Sequence, residues 1–418
     1  MKILLATYWY LPHVGGVNEY VNLLKKELEL LGHEVDVLAQ HPDMVHYYLV
    51  NGNKKENKMK IKAIVYEKVN QFYQRFLPHV EPWVRWRDIE RYTMELCSVL
   101  FDLEQYDLIH TQDIISTRAL WRVKPKHVPL ISTIHGLLAK EHVIAENIPG
   151  KDSVQWVYVS DEEFHGATSS NRTIVPTKWL YNELNENFQV PSQHLEVIPY
   201  GMDIELFMKR YRKPNELEHM KSENHWILFC PARLVPVKGH KTLLHALHSL
   251  KKERTDFVCW LAGDGDLKEI LVATVEKLGL KEHVKFLGDR KDVPSLMRIA
   301  DIMILPSLQD NLPFSIMEAQ VIGLPVIAST AGGIPEMIID GETGLLFEKE
   351  NSMDLKEQIS RLIGDNKLYL HLNDIEKRVG RKKWSSKALA VNTIKEYIKV
   401  LKGDQPIHPA TNNKKKGR

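Results

Sequence analysis

Apolar residues fall in short unbroken runs, and between most runs lie stretches where apolar positions recur every three or four residues. "KILLATYW" reads as a buried strand, and "VNEYVNLLKKELELLG" as an amphipathic helix closed by a glycine. "EVDVLA" is the next strand. "LIH" precedes the helix "IISTRALW", then "LISTIHG", then "RTIVPT" with the helix "WLYNELNENF". After "HLEVIPYGMDIELF" (194–207) comes a polar stretch, "MKRYRKPNELEHMKSEN", with no strong pattern. The alternation then restarts with "HWILFCPAR", "KTLLHALHSLKKE", "FVCWLAGDG" and "DLKEILVATVEKLG", and it runs on through "IMILPS", "FSIMEAQVIG", "PVIAS" and "TGLLF". Strands alternating with helices predict parallel sheets covered on both faces, so the fold class is α/β. The break near residue 200 predicts two Rossmann-like doubly wound domains, 1–200 and 201–383, facing across a cleft. A helix at about 384–402 joins the first domain, and the Lys- and Pro-containing tail 403–418 is expected to be disordered.

Residues 41–95 interrupt the rhythm. The lysine-rich "NGNKKENKMK" reads as a solvated loop, and "FYQRFLPHVEPWVRW" as a helix with a packed aromatic face. The competing reading is an acceptor-specific insertion that touches a membrane surface. On it, Trp83 and Trp86 would serve the acceptor.

Composition narrows the picture. A chain of 418 residues, 44% apolar and 26% charged, is a soluble globular type too long for one core. The net charge of +2 gives no reason to expect a nucleic-acid partner. Residues 1–200 carry 21 Lys/Arg against 25 Asp/Glu, and residues 201–418 carry 35 against 29. Cys97, Cys230 and Cys259 show no paired spacing, so neither a disulfide framework nor a zinc site is expected, and a reducing cytoplasm fits. The N-terminal run reads as a first strand rather than a signal segment. No apolar stretch reaches the roughly 18 residues of a membrane span.

Neither half carries G-x-G-x-x-G or a Walker A sequence, which argues against a dinucleotide dehydrogenase and a P-loop NTPase. Candidate chemistry gathers elsewhere. In "SLQDNLPFSIMEAQ", Asp310 lies just past a strand and Glu318 lies in a helix that starts near Pro313. The first amides of that helix, Phe314 and Ser315, make an anion site, and the two acids can accept hydrogen bonds from hydroxyls. A capping Asp310 and a surface Glu318 are the plainer alternative. In "PARLVPVKG", Arg233 and Lys238 place two cations at a strand end, which suits a diphosphate. Gly265 in "LAGDG" and Gly16 in "PHVGGV" let backbone approach a ligand. His135 in "STIHG" stands at a strand end, where a structural histidine is the ordinary alternative.

Taken in order, "GGV", "HG", "VIPYGMD", "ARLVPVKG", "LAGDG", "ADIMILPS", the paired acids, "EAQVIGLPVIAS" and "GGIPEMI…GETGLLF" resemble glycosyltransferase family 4, over residues 1 to about 347, with Trp384 in the closing segment. The resemblance implies the GT-B fold and a retaining hexosyltransferase that uses a UDP- or GDP-linked sugar and no cofactor or metal. It implies that Arg233 and Lys238 hold the donor diphosphate as it leaves and that Glu318 binds the ribose. Asp310 then faces the transferred sugar, His135 contacts that sugar, and Gly16 admits its phosphate. The expected acceptor is a polysaccharide, glycolipid or other lipid-linked precursor in cell-surface or spore-coat-type glycan synthesis, and the expected location is cytoplasmic and membrane-peripheral. Two departures stand out. Asp310 replaces the first glutamate of the E-x(7)-E pattern and is one methylene shorter. Pro313 lacks an N–H where many members have glycine. A glycoside hydrolase using Asp310 and Glu318 would have no use for Arg233 and Lys238. A non-catalytic nucleotide-sugar-binding scaffold is the second alternative.

Overall fold

In the computed structural model, residues 1–13, 15–221 and 225–403 are described, and of 375–379 only the backbone. The tail expected to be disordered lies, beyond residue 403, outside the described residues. The chain divides into two compact units, 1–200 with 386–418 and 201–385.

Unit 1 begins with β1 (Lys2–Tyr10), α1 (Gly16–Leu30), β2 (Glu34–Gln40), β3 (His46–Leu49), β4 (Lys55–Asn57), α2 (Lys58–Phe76) and α3 (Pro82–Ser98). It continues with β5 (Leu108–Thr111), α4 (Ile114–Val123), β6 (Leu130–Thr133), α5 (Leu138–Ile144), α6 (Val154–Thr168), β7 (Arg172–Val175), α7 (Lys178–Asn182) and β8 (Leu195–Val197). The sheet order is β4-β3-β2-β1-β5-β6-β7-β8. Pairing is parallel from β2 to β8, with Ile3 opposite Leu108 and Ala6 opposite Thr111. Ile3, Leu4, Leu5 and Ala6 are all fully buried, which requires cover on both faces of the sheet.

Unit 2 holds α8 (Ile204–Tyr211), β9 (Trp226–Pro231), α9 (His240–Lys251), β10 (Phe257–Ala262), α10 (Lys268–Lys277), β11 (Val284–Gly288) and α11 (Val293–Ile299). Then come β12 (Ile302–Leu305), α12 (Phe314–Ile322), β13 (Val326–Ser329), β14 (Leu345–Phe347), α13 (Ser352–Gly364) and α14 (Asn366–Lys383). Its sheet is all parallel, in the order β11-β10-β9-β12-β13-β14. The final helix, α15 (Ser386–Leu401), belongs to unit 1, where Ser386 donates to Glu27 of α1 at 2.7 Å. In each sheet the strand order reverses once, beside β1 and beside β9, and such switch points open crevices at the C-terminal strand ends.

Two segments differ from their sequence expectation. The lysine-rich 51–60 is not a solvated loop throughout. β3 and β4 form an antiparallel hairpin, with His46 opposite Asn57, and Asn57 then caps α2 by accepting from Met59 N at 2.9 Å. Such a short polar edge strand leaves no periodic signal. The stretch after 207 also gains structure. Asp203 caps α8, and Asn215 and Glu218 form a reciprocal capping pair. Phe207 alone is buried in α8, so its periodicity is invisible.

The aromatic run 72–86 splits in two. Tyr73 and Trp83 turn inward, and Trp83 meets the His142 ring edge-on at 5.1 Å. Phe72, Phe76 and Trp86 are exposed. The two tryptophans paired as acceptor residues thus differ in setting, Trp83 half-buried against the core of unit 1 and Trp86 exposed. Trp83→Ala is expected to cost about 1.5–2.5 kcal/mol of stability, half the range for a fully buried aromatic. Trp86→Ala should stay within about 0.5 kcal/mol. Equal denaturation midpoints for the two variants would show that this division of the aromatics is wrong.

Candidate functional site

The loops after β9, β10, β12 and β13 of unit 2 are stitched together by backbone. Leu308 N donates to Val237 O at 2.7 Å, which ties the loop after β12 to the one after β9. Leu234 N donates to Asp264 O at 3.0 Å, and Leu267 N to Leu234 O at 2.9 Å, which adds the loop after β10. Gly333 N donates to Asp310 O at 3.0 Å, and Ser329 Oγ to Ser307 O at 2.6 Å, which adds the loop after β13.

Two glycines make these approaches possible. Gly239 has φ +66°, and a Cβ there would come within 1.9 Å of Pro306 O. Gly332 has φ +62°, and its Cβ would meet Asp310 O at 1.8 Å. Both combine left-handed backbone with contact against a carbonyl. At Gly265 the backbone that approaches is the protein's own, since a Cβ would lie 2.6 Å from Leu234 O. Its N–H donates to Asp264 Oδ1 at 2.8 Å. Packing within the unit therefore already accounts for a glycine at 265.

On this frame the Lys238 ammonium donates to Asp310 Oδ2 at 2.5 Å, and Ser307 Oγ donates to the same oxygen at 3.0 Å. The pair is largely buried, with side-chain exposures of 19% and 13%. An ammonium has three donors, so Asp310 fixes Lys238 and leaves two for other acceptors. Asp310 Oδ1 has no hydrogen-bond partner among the described residues. The Arg233 side chain is exposed and has no hydrogen-bond or ion-pair partner among them.

Pro313 stands as N-cap of α12 with φ −64° and ψ 125°, and the helix begins at Phe314. Phe314 and Ser315 open the helix, and Glu318 follows half-buried one turn later. α12 is held from behind. Trp384 Nε1 donates to Gln320 Oε1 at 2.8 Å, and a Cβ on Gly380 would lie 2.5 Å from the Gln320 backbone. Sequence reasoning did not find Gln320 as a support. The signal was Trp384, a large aromatic with one N–H that needs a partner when buried.

His135 and Gly16 lie in unit 1. Gly16 is the first residue of α1, whose N-cap is Gly15. His135 follows β6, with Nδ1 2.5 Å from Tyr200 Oη and Nε2 3.3 Å from Gln112 Oε1. Since Gln Oε1 only accepts, Nε2 carries the proton and Nδ1 accepts from the tyrosine. Burial pushes the imidazole down to about 3, so it is neutral at physiological pH. The expected sugar contact must therefore compete with Gln112 for the N–H. Tyr200 and Gln112 hold the His135 ring, contacts that motif reading passed over. Beneath them, buried His110 joins Tyr397 of α15 and Thr133 of β6, each at 2.7 Å. The Tyr20 ring sits 4.8 Å from His135 and 5.0 Å from Tyr200.

Glu163 of α6 is fully buried and accepts from Ala139 N at 2.9 Å, at the start of the short α5 that follows His135. Desolvation raises its carboxyl to about 8. Between the ordinary value of 4.5 and about 8, the folded chain keeps a proton that the unfolded chain has released. Its contribution to stability is therefore complete below 4.5 and is lost as pH rises to about 8. Glu163→Gln is expected to flatten the fall in denaturation midpoint between pH 6.5 and 8, windows set by His and Glu titration. A fall as steep in the variant as in the parent chain would remove Glu163 as its source. Independently, Gly332→Ala should cost more than about 2 kcal/mol, since strain and clash add. A melting temperature equal to that of the parent would contradict the close approach.

Comparisons with known proteins converge on this architecture. Residues 14–206 match the family described as Glycosyltransferase Family 4, and residues 212–379 match Glycosyl transferases group 1. The chain is 27% identical over 407 residues to an uncharacterized glycosyltransferase of Methanocaldococcus jannaschii, covering 95% of this chain and 99% of that one. It is 24% identical over 425 residues to the MMP alpha-(1->4)-mannosyltransferase of Mycolicibacterium hassiacum, covering 96% and 98%. Among solved structures, Anabaena HepE in complex with UDP-glucose superposes with a TM-score of 0.69 at 19% identity, covering 96% of this chain and 100% of that one. With two parallel α/β units of the GT-B type and both family matches in chain order, the protein is a glycosyltransferase of family 4.

Proposed function

We propose that this glycosyltransferase moves a hexosyl group, with retention, from a nucleoside diphosphate sugar to a hydroxyl of a polysaccharide, glycolipid or other glycan acceptor. The observation that carries this reading is the cation pair of unit 2. Lys238 is fixed by Asp310 at 2.5 Å, and Arg233 is exposed and uncommitted on the same loop. Both follow β9, at the switch point of the sheet.

A glycosyl diphosphate leaves without protonation by a strong acid, provided that positive charge stands where negative charge grows. In the proposed step the C1–O bond to the diphosphate breaks through an oxocarbenium-like state. The acceptor oxygen bonds C1 on the same face, and its proton passes to the departing phosphate. Arg233 and the two remaining Lys238 donors stabilise that phosphate, together with the Phe314 and Ser315 end of α12. Glu318 binds the ribose hydroxyls. Asp310 meets the sugar through Oδ1, its Oδ2 being held by Lys238 and Ser307. His135 is assigned to a sugar hydroxyl, Gly16 to backbone approach on the sugar phosphate, and Gly265 to the nucleotide side. The UDP-glucose carried by HepE makes a uridine diphosphate sugar the first donor to test, with GDP-linked sugars second.

The ion pair also bears on the hydrolase alternative. Asp310 Oδ2 is already taken by Lys238 and Ser307, an arrangement poorly suited to protonating a leaving group. The decisive experiment uses Arg233→Ala. Its side chain is exposed and makes no ion pair among the described residues, so denaturation should shift by less than about 0.5 kcal/mol. Release of nucleoside diphosphate from the donor should fall about 10²–10³-fold, the usual loss for one donor to a developing anion. Lys238→Ala should fall at least as far. Full turnover in Arg233→Ala, with the donor still bound, would overturn the assignment.

A further inference from the structure

The outward face of α2 is left unexplained by sugar transfer. Lys60, Ile64, Lys68, Phe72 and Phe76 follow each other at intervals of four and form one stripe along the helix, with Arg75 beside its end. The apolar members face solvent, with Ile64 61%, Phe72 50% and Phe76 57% exposed. The two phenyl rings lie 5.1 Å apart, and the Arg75 guanidinium sits 5.0 Å from the Phe76 ring. Lys60, Lys68 and Arg75 are exposed and have no ion-pair partner among the described residues. The opposite face of α2 holds Val65 and Tyr73 in the interior, so the stripe is not core turned inside out.

Charge identifies the occupant. Residues 54–76 carry seven Lys/Arg against two Asp/Glu, while the rest of 1–200 carries 14 against 23; of the seven, Lys58 is buried and Lys55 and Lys62 pair with Asp43 and Glu90, which leaves Lys54, Lys60, Lys68 and Arg75 for the surface. A local cationic patch on an otherwise acidic unit is directed at an anionic surface. Alternating long cations with exposed aliphatic and aromatic side chains suits the headgroup boundary of a bilayer, where the rings enter and the cations meet phosphates. The same stripe is ill-suited to a second copy of itself, since a two-fold contact would bring like charges together. Among the described residues no helix is long and apolar enough to cross a membrane, so this mode of contact is a helix lying flat.

We propose that the Lys60–Phe76 stripe of α2 docks the protein onto bilayers rich in anionic lipid. The test is flotation of the full chain with vesicles of phosphatidylcholine alone and of phosphatidylcholine mixed with phosphatidylglycerol, at low and high salt. The parent protein should float with the mixed vesicles only, and less so at high salt. Lys60→Glu with Lys68→Glu and Arg75→Glu should weaken binding at least about 10²-fold, near fivefold for each cation removed. Phe72→Ser with Phe76→Ser should weaken it about tenfold or more. Both variants should melt as the parent does, because none of these side chains is buried. Failure of the parent to float with anionic vesicles overturns the proposal. So does equal binding to neutral vesicles, or binding unchanged in both variants. A dimer on gel filtration that either variant abolishes assigns the stripe to self-association instead.

Discussion

The architecture of unit 2 turns on a backbone contact without room for a side chain, Gly239 against the Pro306 carbonyl. That approach brings the loop after β9 onto the loop after β12, and the Leu308 N–H to Val237 bond locks it. Only then do Lys238 and Asp310 meet, although they stand 72 residues apart in the chain. The ion pair is a consequence of the loop geometry rather than its cause. Removing either partner would leave a largely buried charge without its counter-charge, a more costly state than never having placed it there.

The pair also has a chemical consequence. A lysine free to swing would spend rotamer entropy each time it met a phosphate. Lys238 has already given up that freedom to Asp310, and Ser307 steadies the carboxylate in turn. Arg233 is the opposite case, exposed and unrestrained. One cation is preorganised and the other adaptable. On the proposed function, Lys238 would offer a fixed charge to the diphosphate and Arg233 an exposed one.

How much of this was visible in the amino-acid order depends on the physics of each part. The alternation of buried runs with amphipathic stretches exposes parallel sheets directly, because strands such as Ile3–Ala6 are buried on both faces and must be apolar throughout. Arg233, Lys238 and Asp310 follow strand ends, where a polar residue after an apolar run is conspicuous. Partners were not legible. Nothing local says that Lys238 reaches Asp310, that His135 leans on Tyr200, or that Trp384 braces Gln320. Each is set by which strands lie side by side, and strand order is not written in any short stretch. The β3–β4 hairpin and α8 escaped for the converse reason. They bury too little to impose a period.

The return of α15 to unit 1 has a bearing on how the protein comes into being. Tyr397 completes the polar chain through His110, and Ser386 joins α1, yet both are made only after the whole of unit 2. During synthesis the first unit must wait, with His110 facing a space that its phenol has not yet filled, while the second has all of its own strands and helices in hand. The order of translation thus favours the later unit finishing first. A chain interrupted after residue 385 would carry an entire second unit beside a first one lacking its last helix.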